Sequence, residues 1–294
     1  MATIDVQGLT KDFGETRAID NLEFQVREGE IFGYLGPNGA GKTTTLRTLL
    51  GFLNPTAGTA TVLGADIRDE AALREAKADI GYLPGELSFD EGITGQTFLD
   101  YQAELKGNDR LEDMLDLFHP PLDRKIREYS SGNRQMLGII QTFMHDPDLV
   151  IMDEPTGGLD PLMQERLNTF LREERAAGLT IVFSSHILAE VRRVCDRVGI
   201  IRHGELVALE TLETLLEKGG KRVRIATEEP IKDGAFDLEG VIDEERVGEE
   251  LHFTFAGNYN DLLDRLAEYT IIDLEVEEPP LEEVFMHFYG ENDE

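Results

Sequence analysis

Short apolar runs alternate with amphipathic stretches from Thr3 to about Leu215. GEIFGYL (29–35), DLVIMD (148–153) and TIVFSS (180–185) are apolar over the length of a strand, which predicts buried strands. Leu46, Leu49, Leu50 and Leu53 fall at i, i+3, i+4 and i+7, one face of a helix, so a helix is predicted to begin near Lys42. Strands alternating with helices imply an α/β fold with a parallel sheet covered by helices. Residues 86–147 lack clear strand patterns and are expected to form a helical insertion. IIRHGELVALE (200–210) predicts a hairpin that turns at His203-Gly204.

The pattern changes near EKGGKR (217–222), which places a domain boundary there: 1–218 and then 219–294. Beyond it VRIAT (223–227), ELHFTFAG (250–257) and TIIDLEVE (270–277) predict strands. NDLLDRLAEY (260–269) and PPLEEVFMHFYG (279–290) predict helices. The result is a small acidic α+β domain appended to the larger α/β one.

Charge narrows the range of partners. The chain carries 59 acidic and 28 basic residues, a net charge of −31. That field argues against a nucleic-acid partner, which needs a basic face. The acid excess runs through both parts, and of the basic residues only 8 are lysine. This composition points to a halophile-like acidic surface, suited to a salty cytoplasm in which screening removes self-repulsion. No apolar run approaches the roughly 18 residues needed to cross a bilayer, and the N-terminus lacks a signal-peptide pattern. The expected location is therefore the cytoplasm. The single cysteine, Cys195, excludes an internal disulfide framework and is expected to be a small apolar residue on a helix.

Three segments carry chemistry. GPNGAGKT, Gly36 to Thr43, fits the phosphate-loop pattern G-x-x-x-x-G-K-[ST] and lies between a predicted strand and a predicted helix. Its glycines let backbone N–H groups point at phosphate oxygens, and the following helix adds its positive end. Lys42 is expected to reach the β- and γ-phosphates, and Thr43 to ligate Mg²⁺. LVIMDEP, Leu149 to Pro155, ends an apolar strand in two carboxylates. Asp153 is placed to hold Mg²⁺ and Glu154 to polarise the attacking water. SSH, Ser184 to His186, ends the next strand, and His186 is expected to contact the γ-phosphate and the water.

With these in place the chain resembles the ATPase subunit of an ABC transporter over at least residues 3–215. The diagnostic element is YSSGNRQ, Tyr129 to Gln135, which is similar to the family's LSGGQ signature. The resemblance implies a P-loop NTPase fold of ABC type with a helical insertion, and ATP and Mg²⁺ as cofactors. It implies an ATP-binding set of Phe13, stacked on adenine, with Gly36, Pro37, Asn38, Gly39, Ala40, Gly41, Lys42, Thr43 and Thr44. Ser130, Ser131, Gly132 and Asn133 would act in trans on the nucleotide of a paired subunit, so each ATP is sandwiched in a head-to-tail dimer. Asp160, in GGLD, would by the same resemblance belong to the loop that contacts the opposite subunit. The sequence departs from the family at Tyr129 for leucine, Ser131 for glycine and Asn133 for glutamine. After IGYLP the family has glutamine; here Gly85 takes that place and Glu86 follows.

The function implied is an ATP-hydrolysing subunit that energises transport through a separate membrane permease, peripheral at the inner face of the membrane. The appendage ending in PPLEEVFMHFYG resembles that of ABC-2-type, drug-export-like systems. Two other functions compete: an ABC-type ATPase acting on ribosomes or DNA, and an ATP-binding regulator with little turnover. Proteins of the first kind carry two cassettes or a long coiled-coil insertion, and this chain has neither. Retention of Glu154 and His186 speaks against the second.

Overall fold

Strand β1 (Ala2–Phe13) returns as β2 (Thr16–Arg27), whose Leu22, Phe24 and Val26 point inward between exposed Asn21, Glu23, Gln25 and Arg27. The computed structural model describes residues 2–218, 220–232, 234–248 and 250–277. After β3 (Ile31–Leu35) come α1 (Lys42–Leu49), β4 (Ala57–Val62), β5 (Ala65–Asp66), α2 (Glu70–Ala76) and β6 (Ile80–Leu83). The insertion supplies α3 (Gly95–Lys106), α4 (Leu111–Phe118) and α5 (Ser131–Phe143). Then follow β7 (Leu149–Asp153), α6 (Pro161–Ala177), β8 (Thr180–Ser185), α7 (Leu188–Val194), β9 (Arg197–Arg202) and β10 (Glu205–Thr211). The described residues divide into two compact units at Leu209/Glu210.

In the first unit a six-stranded sheet has the order β10-β9-β3-β8-β7-β6, and its strands from β9 to β6 run parallel. Every residue of β3, β7 and β8 is buried, as their continuous apolar character predicts. The hairpin turn is at His203 and Gly204, both at positive φ. A second, antiparallel sheet, β2-β1-β4-β5, was not foreseen in the apolar pattern. Phe24 of β2 stacks on Phe32 and Tyr34 of β3 with centroids 5.6 Å away, so the two sheets share one core.

Two glycines bring the insertion onto the parallel sheet. A methyl on Gly81 of β6 would collide with the Thr142 carbonyl of α5. One on Gly138 of α5 would lie 2.9 Å from Leu83 of β6. Close helix-to-strand approach at both points ties α5, and the segment at its start, to the strand that leads to Gly85. Cys195 is not on a helix as expected: it follows the end of α7, buried, with its sulfur 3.0 Å from where a Gly33 side chain would begin.

The second unit contains α8 (Leu212–Lys218), β11 (Lys221–Thr227), β12 (Val241–Val247), β13 (Glu250–Phe255), α9 (Tyr259–Leu266) and β14 (Ile271–Glu277). Its antiparallel sheet has the order β12-β13-β11-β14 and buries Val223, Ile225, Leu251, Phe253 and Phe255 against Leu262 and Leu266 of α9. Strand β12 is not apparent from sequence, because VIDEERV is mostly charged. The division at Leu209/Glu210 falls ahead of the compositional boundary at 218/219, since by contact α8 belongs to the second unit. The final helix expected over 279–290 lies outside the described residues.

Candidate nucleotide site

The loop between β3 and α1 is shaped by what crowds it from behind. Gly36 lies against the backbone of Ile201, leaving no room for a side chain. Gly41 has φ 109, and a methyl there would lie 2.6 Å from the Ala18 carbonyl. Gly204 N–H donates to the Ala40 carbonyl at 3.0 Å, and Asp20 N–H donates to the Gly204 carbonyl at 2.8 Å. The phosphate loop is thus clamped from behind by the β9–β10 turn and by β2.

In front of the loop lies a cleft of about 480 Å³. It is lined by Pro37, Asn38, Gly39, Gly41, Lys42, Thr43 and Thr44 from the loop and helix, Gly85 and Glu86 after β6, Asp153 and Glu154 after β7, and also Ala18 and Arg47. Segments far apart in sequence meet here because β3, β7 and β6 all end at the same sheet edge.

The polar groups of the cleft are already oriented. Lys42 Nζ donates to the carbonyls of Gly36 (2.6 Å) and Pro37 (3.2 Å) and lies 3.5 Å from a Glu154 oxygen. Asp153 is buried; Thr43 Oγ1 donates to one of its oxygens at 2.6 Å and Ser184 Oγ to the other at 2.8 Å. Glu154 sits at φ 52, and its N–H donates to the Ser184 carbonyl at 3.0 Å. His186 Nδ1 lies 2.8 Å from the other Glu154 oxygen. The four expected catalytic and metal positions, Thr43, Asp153, Glu154 and His186, therefore form one connected group with the phosphate-binding Lys42, although His186 is not among the residues lining the cleft.

Other expected residues stand elsewhere. Ser130 caps α5, its Oγ accepting from Asn133 N–H at 3.2 Å, with Ser131, Gly132 and Asn133 in the first turn. None of the four lines the cleft of this chain. They pack instead on the loop after Glu154: a methyl on Gly132 would lie 3.0 Å from the Gly158 carbonyl, and Gln135 donates to the Pro155 carbonyl at 2.7 Å. Asp160 caps α6 through Met163 N–H at 2.9 Å. Phe13 is exposed at the end of β1, outside the cleft lining, with the Lys11 ammonium 5.1 Å above its ring.

Several residues of the site carried no sequence signal. Glu190 of α7 accepts from Thr156 at 2.6 Å and from Ser185 at 2.7 Å, bracing the loops after β7 and β8 together. Tyr82, at the end of β6, has its phenol raised above the ordinary value by burial first and by the charge of Asp153 second. Nothing in LAEVRRV or in IGYLP marks these side chains as parts of a site.

Comparison with known proteins decides which ATPase family built this cleft. The family model for the ABC transporter matches residues 19–157, from β2 to the loop after Glu154. The linearmycin resistance ATP-binding protein LnrL of Bacillus subtilis is 30% identical over 308 residues, covering 98% of each chain. The chain belongs to the ABC transporter ATP-binding proteins. It is an ATP-binding ABC transporter subunit and an ATPase. An ABC transporter ATP-binding protein of Nostoc sp. is 41% identical over 209 residues, which cover 68% of this chain and 61% of the relative. Among solved structures, an ATP-binding subunit of an ABC transporter aligns with a TM-score of 0.66 and 30% identity, covering 72% of this chain and 91% of that one. Among the described residues no helix is long and apolar enough to cross a membrane.

Proposed function

We propose that this ATPase works as one member of a pair and drives export through a separate membrane permease. The observation that carries the reading is the split of the site. Lys42, Thr43, Asp153 and Glu154 line the cleft, and His186 reaches it through its contact with Glu154. Ser130 to Asn133 stand outside it at the start of α5, where a second subunit can meet them. A pair arranged head to tail supplies to each cleft the signature that its own chain withholds. The export direction is supported by likeness to a resistance protein along the whole chain. Attachment to the inner face of a membrane, through the permease, follows from the same reading.

The residues then take these roles. Gly36 to Thr44 cradle the phosphates, with the Lys42 ammonium as the main counter-charge. The Thr43 hydroxyl and the Asp153 carboxylate are hard oxygen donors held side by side, a fit for magnesium, which keeps most of its waters and takes few protein ligands. Bound there, the ion would offset charge on the β- and γ-phosphates. Glu154 orients and deprotonates the attacking water, and His186 holds the Glu154 carboxylate in place. Phe13 is assigned to the adenine face, Asp160 to the loop facing the other subunit, and Gly85 with Glu86 to coupling with the permease. The nucleotide-binding part is taken as 1–218 and the acidic appendage as 219–294.

Two variants test the assignment. Lys42→Ala should abolish ATP binding, measured by titration with a fluorescent ATP analogue. Glu154→Gln should keep binding but lower turnover by about 10²–10⁴-fold, the range for loss of a positioned general base, and should accumulate an ATP-bound dimer on size-exclusion chromatography. Normal hydrolysis by Glu154→Gln would overturn the role given to Glu154.

A further inference from the structure

Tyr129 departs from the family's leucine at the first position of the signature, and the fold has made room for it. Its side chain is buried, and its hydroxyl donates to the Pro121 carbonyl at 2.7 Å. Burial also raises its phenol above the ordinary value, with Asp123 adding to the effect, so the group remains a donor at neutral pH. The ring tip lies over Gly95, the first residue of α3. A methyl on Gly95 would collide with the Tyr129 hydroxyl and come within 3.2 Å of the ring carbon that bears it.

Main-chain bonds join the same two segments. Gly95 N–H donates to the Arg124 carbonyl at 3.3 Å and Gln96 N–H to the Leu122 carbonyl at 3.0 Å. Ile126 N–H donates to the Ile93 carbonyl at 2.9 Å, and Thr94 bridges to Lys125. The strap over 121–129 is therefore laid along the N-terminus of α3, and Tyr129 is the side chain that closes it. The next residue is Ser130, whose Oγ caps α5. The direction in which Ser130 faces is fixed from one side by α5 and from the other by Tyr129.

We propose that Tyr129 is a positioning residue for the signature serine: its hydroxyl, seated over Gly95 and bonded to the Pro121 carbonyl, holds Ser130 in the orientation that meets the nucleotide bound by the paired subunit. This rests on the paired reading given above. Leucine has no group that reaches the Pro121 carbonyl, so the tie comes with the departure at this position. Without the hydroxyl the carbonyl loses its donor, and the ring is free to rock in the space above Gly95.

The test is made on the full chain. Tyr129→Phe should lower kcat for ATP about five- to tenfold, the scale of one lost hydrogen bond acting on the closed state. KM for ATP and the affinity for a fluorescent ADP analogue should stay within about twofold, because nucleotide is first held by the phosphate loop. In the Glu154→Gln background the same change should raise the ATP concentration needed to form the dimer. Gly95→Ala alone should lower kcat at least as much, since its methyl strikes the hydroxyl. In the Tyr129→Phe background Gly95→Ala should cost little more, and this non-additivity is what contact between the two predicts. A Tyr129→Phe protein that melts a few degrees lower but turns over and dimerises like wild type would reduce Tyr129 to a packing residue and overturn the proposal. So would additive losses from the two substitutions. The paired reading fails by a different sign: the Glu154→Gln protein with Tyr129 intact would stay monomeric at saturating ATP.

Discussion

Glu154 occupies the left-handed region of backbone space at φ 52, which costs a non-glycine residue about 1–2 kcal/mol. The conformation turns its carboxylate from the end of β7 toward Lys42 and His186, so the strain is spent on aiming that carboxylate. Gly85, across the cleft, lacks any side chain to meet magnesium or water. A β-carbon there would lie 3.4 Å from the Asp153 carboxylate, an ordinary contact, so a side chain can begin at this position without moving Asp153. The isolated wild-type protein is expected to bind ATP well and hydrolyse it slowly. Gly85→Gln should raise its basal rate about tenfold, a fraction of what a well-placed donor supplies in other enzymes. Rates for the two proteins measured without membranes check this, and an unchanged rate would mean that the loop after β6 is not the coupling element. The phosphate-loop residues were legible from sequence because phosphate chemistry dictates both residue type and spacing. Glu190, Ala18 and Arg47 were not, because they are ordinary residues recruited only by the convergence of strand ends.

At the level of elements, the insertion meets the parallel sheet around His145, just after α5. Its imidazole is buried, and neither ring nitrogen makes a hydrogen bond of good geometry. Burial holds its pKa below the ordinary 6.5, and the Lys106 ammonium at the end of α3 pushes the same way. Asp79, Asp146 and the Ile80 carbonyl act weakly against them. The unfolded chain therefore takes up this proton first. The stability contributed here is intact above about pH 6.5 and is lost as pH falls from there through the folded pKa. Melting temperatures between pH 7 and 5 should show a steeper decline in wild type than in His145→Leu, and parallel profiles would refute the role of this group. Elements were legible where burial is complete, as in β3, β7 and β8. They were hidden where it is not. The antiparallel sheet is hard to read because β1 buries neighbouring residues in pairs, Thr3 with Ile4 and Leu9 with Thr10, and meets β2 through several register shifts, although β2 itself alternates cleanly over 21–27. Strand β6 has only four residues, too short to separate from the apolar end of a helix.

For the whole molecule the governing fact is charge. With 28 cations for 59 carboxylates, most acidic groups cannot have a cation of their own, and exposed pairs such as Arg68–Asp66 contribute little. The Debye length falls from about 10 Å at 0.1 M salt to about 3 Å at 1 M. Self-repulsion should therefore weaken and the melting temperature rise across that range of KCl. A flat or falling melting temperature would leave the acidic surface as ordinary solubility. The clamp behind the phosphate loop has a consequence for how this protein is made. Ile31 of β3 pairs with Ile181, Phe32 pairs with Arg197, and the Ala40 carbonyl is held by Gly204. The segment that grips nucleotide is synthesised well before both flanking strands and the clamp, which are among the last parts of this unit to be made. Such long-range closures form late. A nascent chain shorter than about residue 204 carries the whole phosphate-loop sequence without the walls that shape it, so competence to bind ATP arrives near the end of the unit's synthesis rather than with the motif itself.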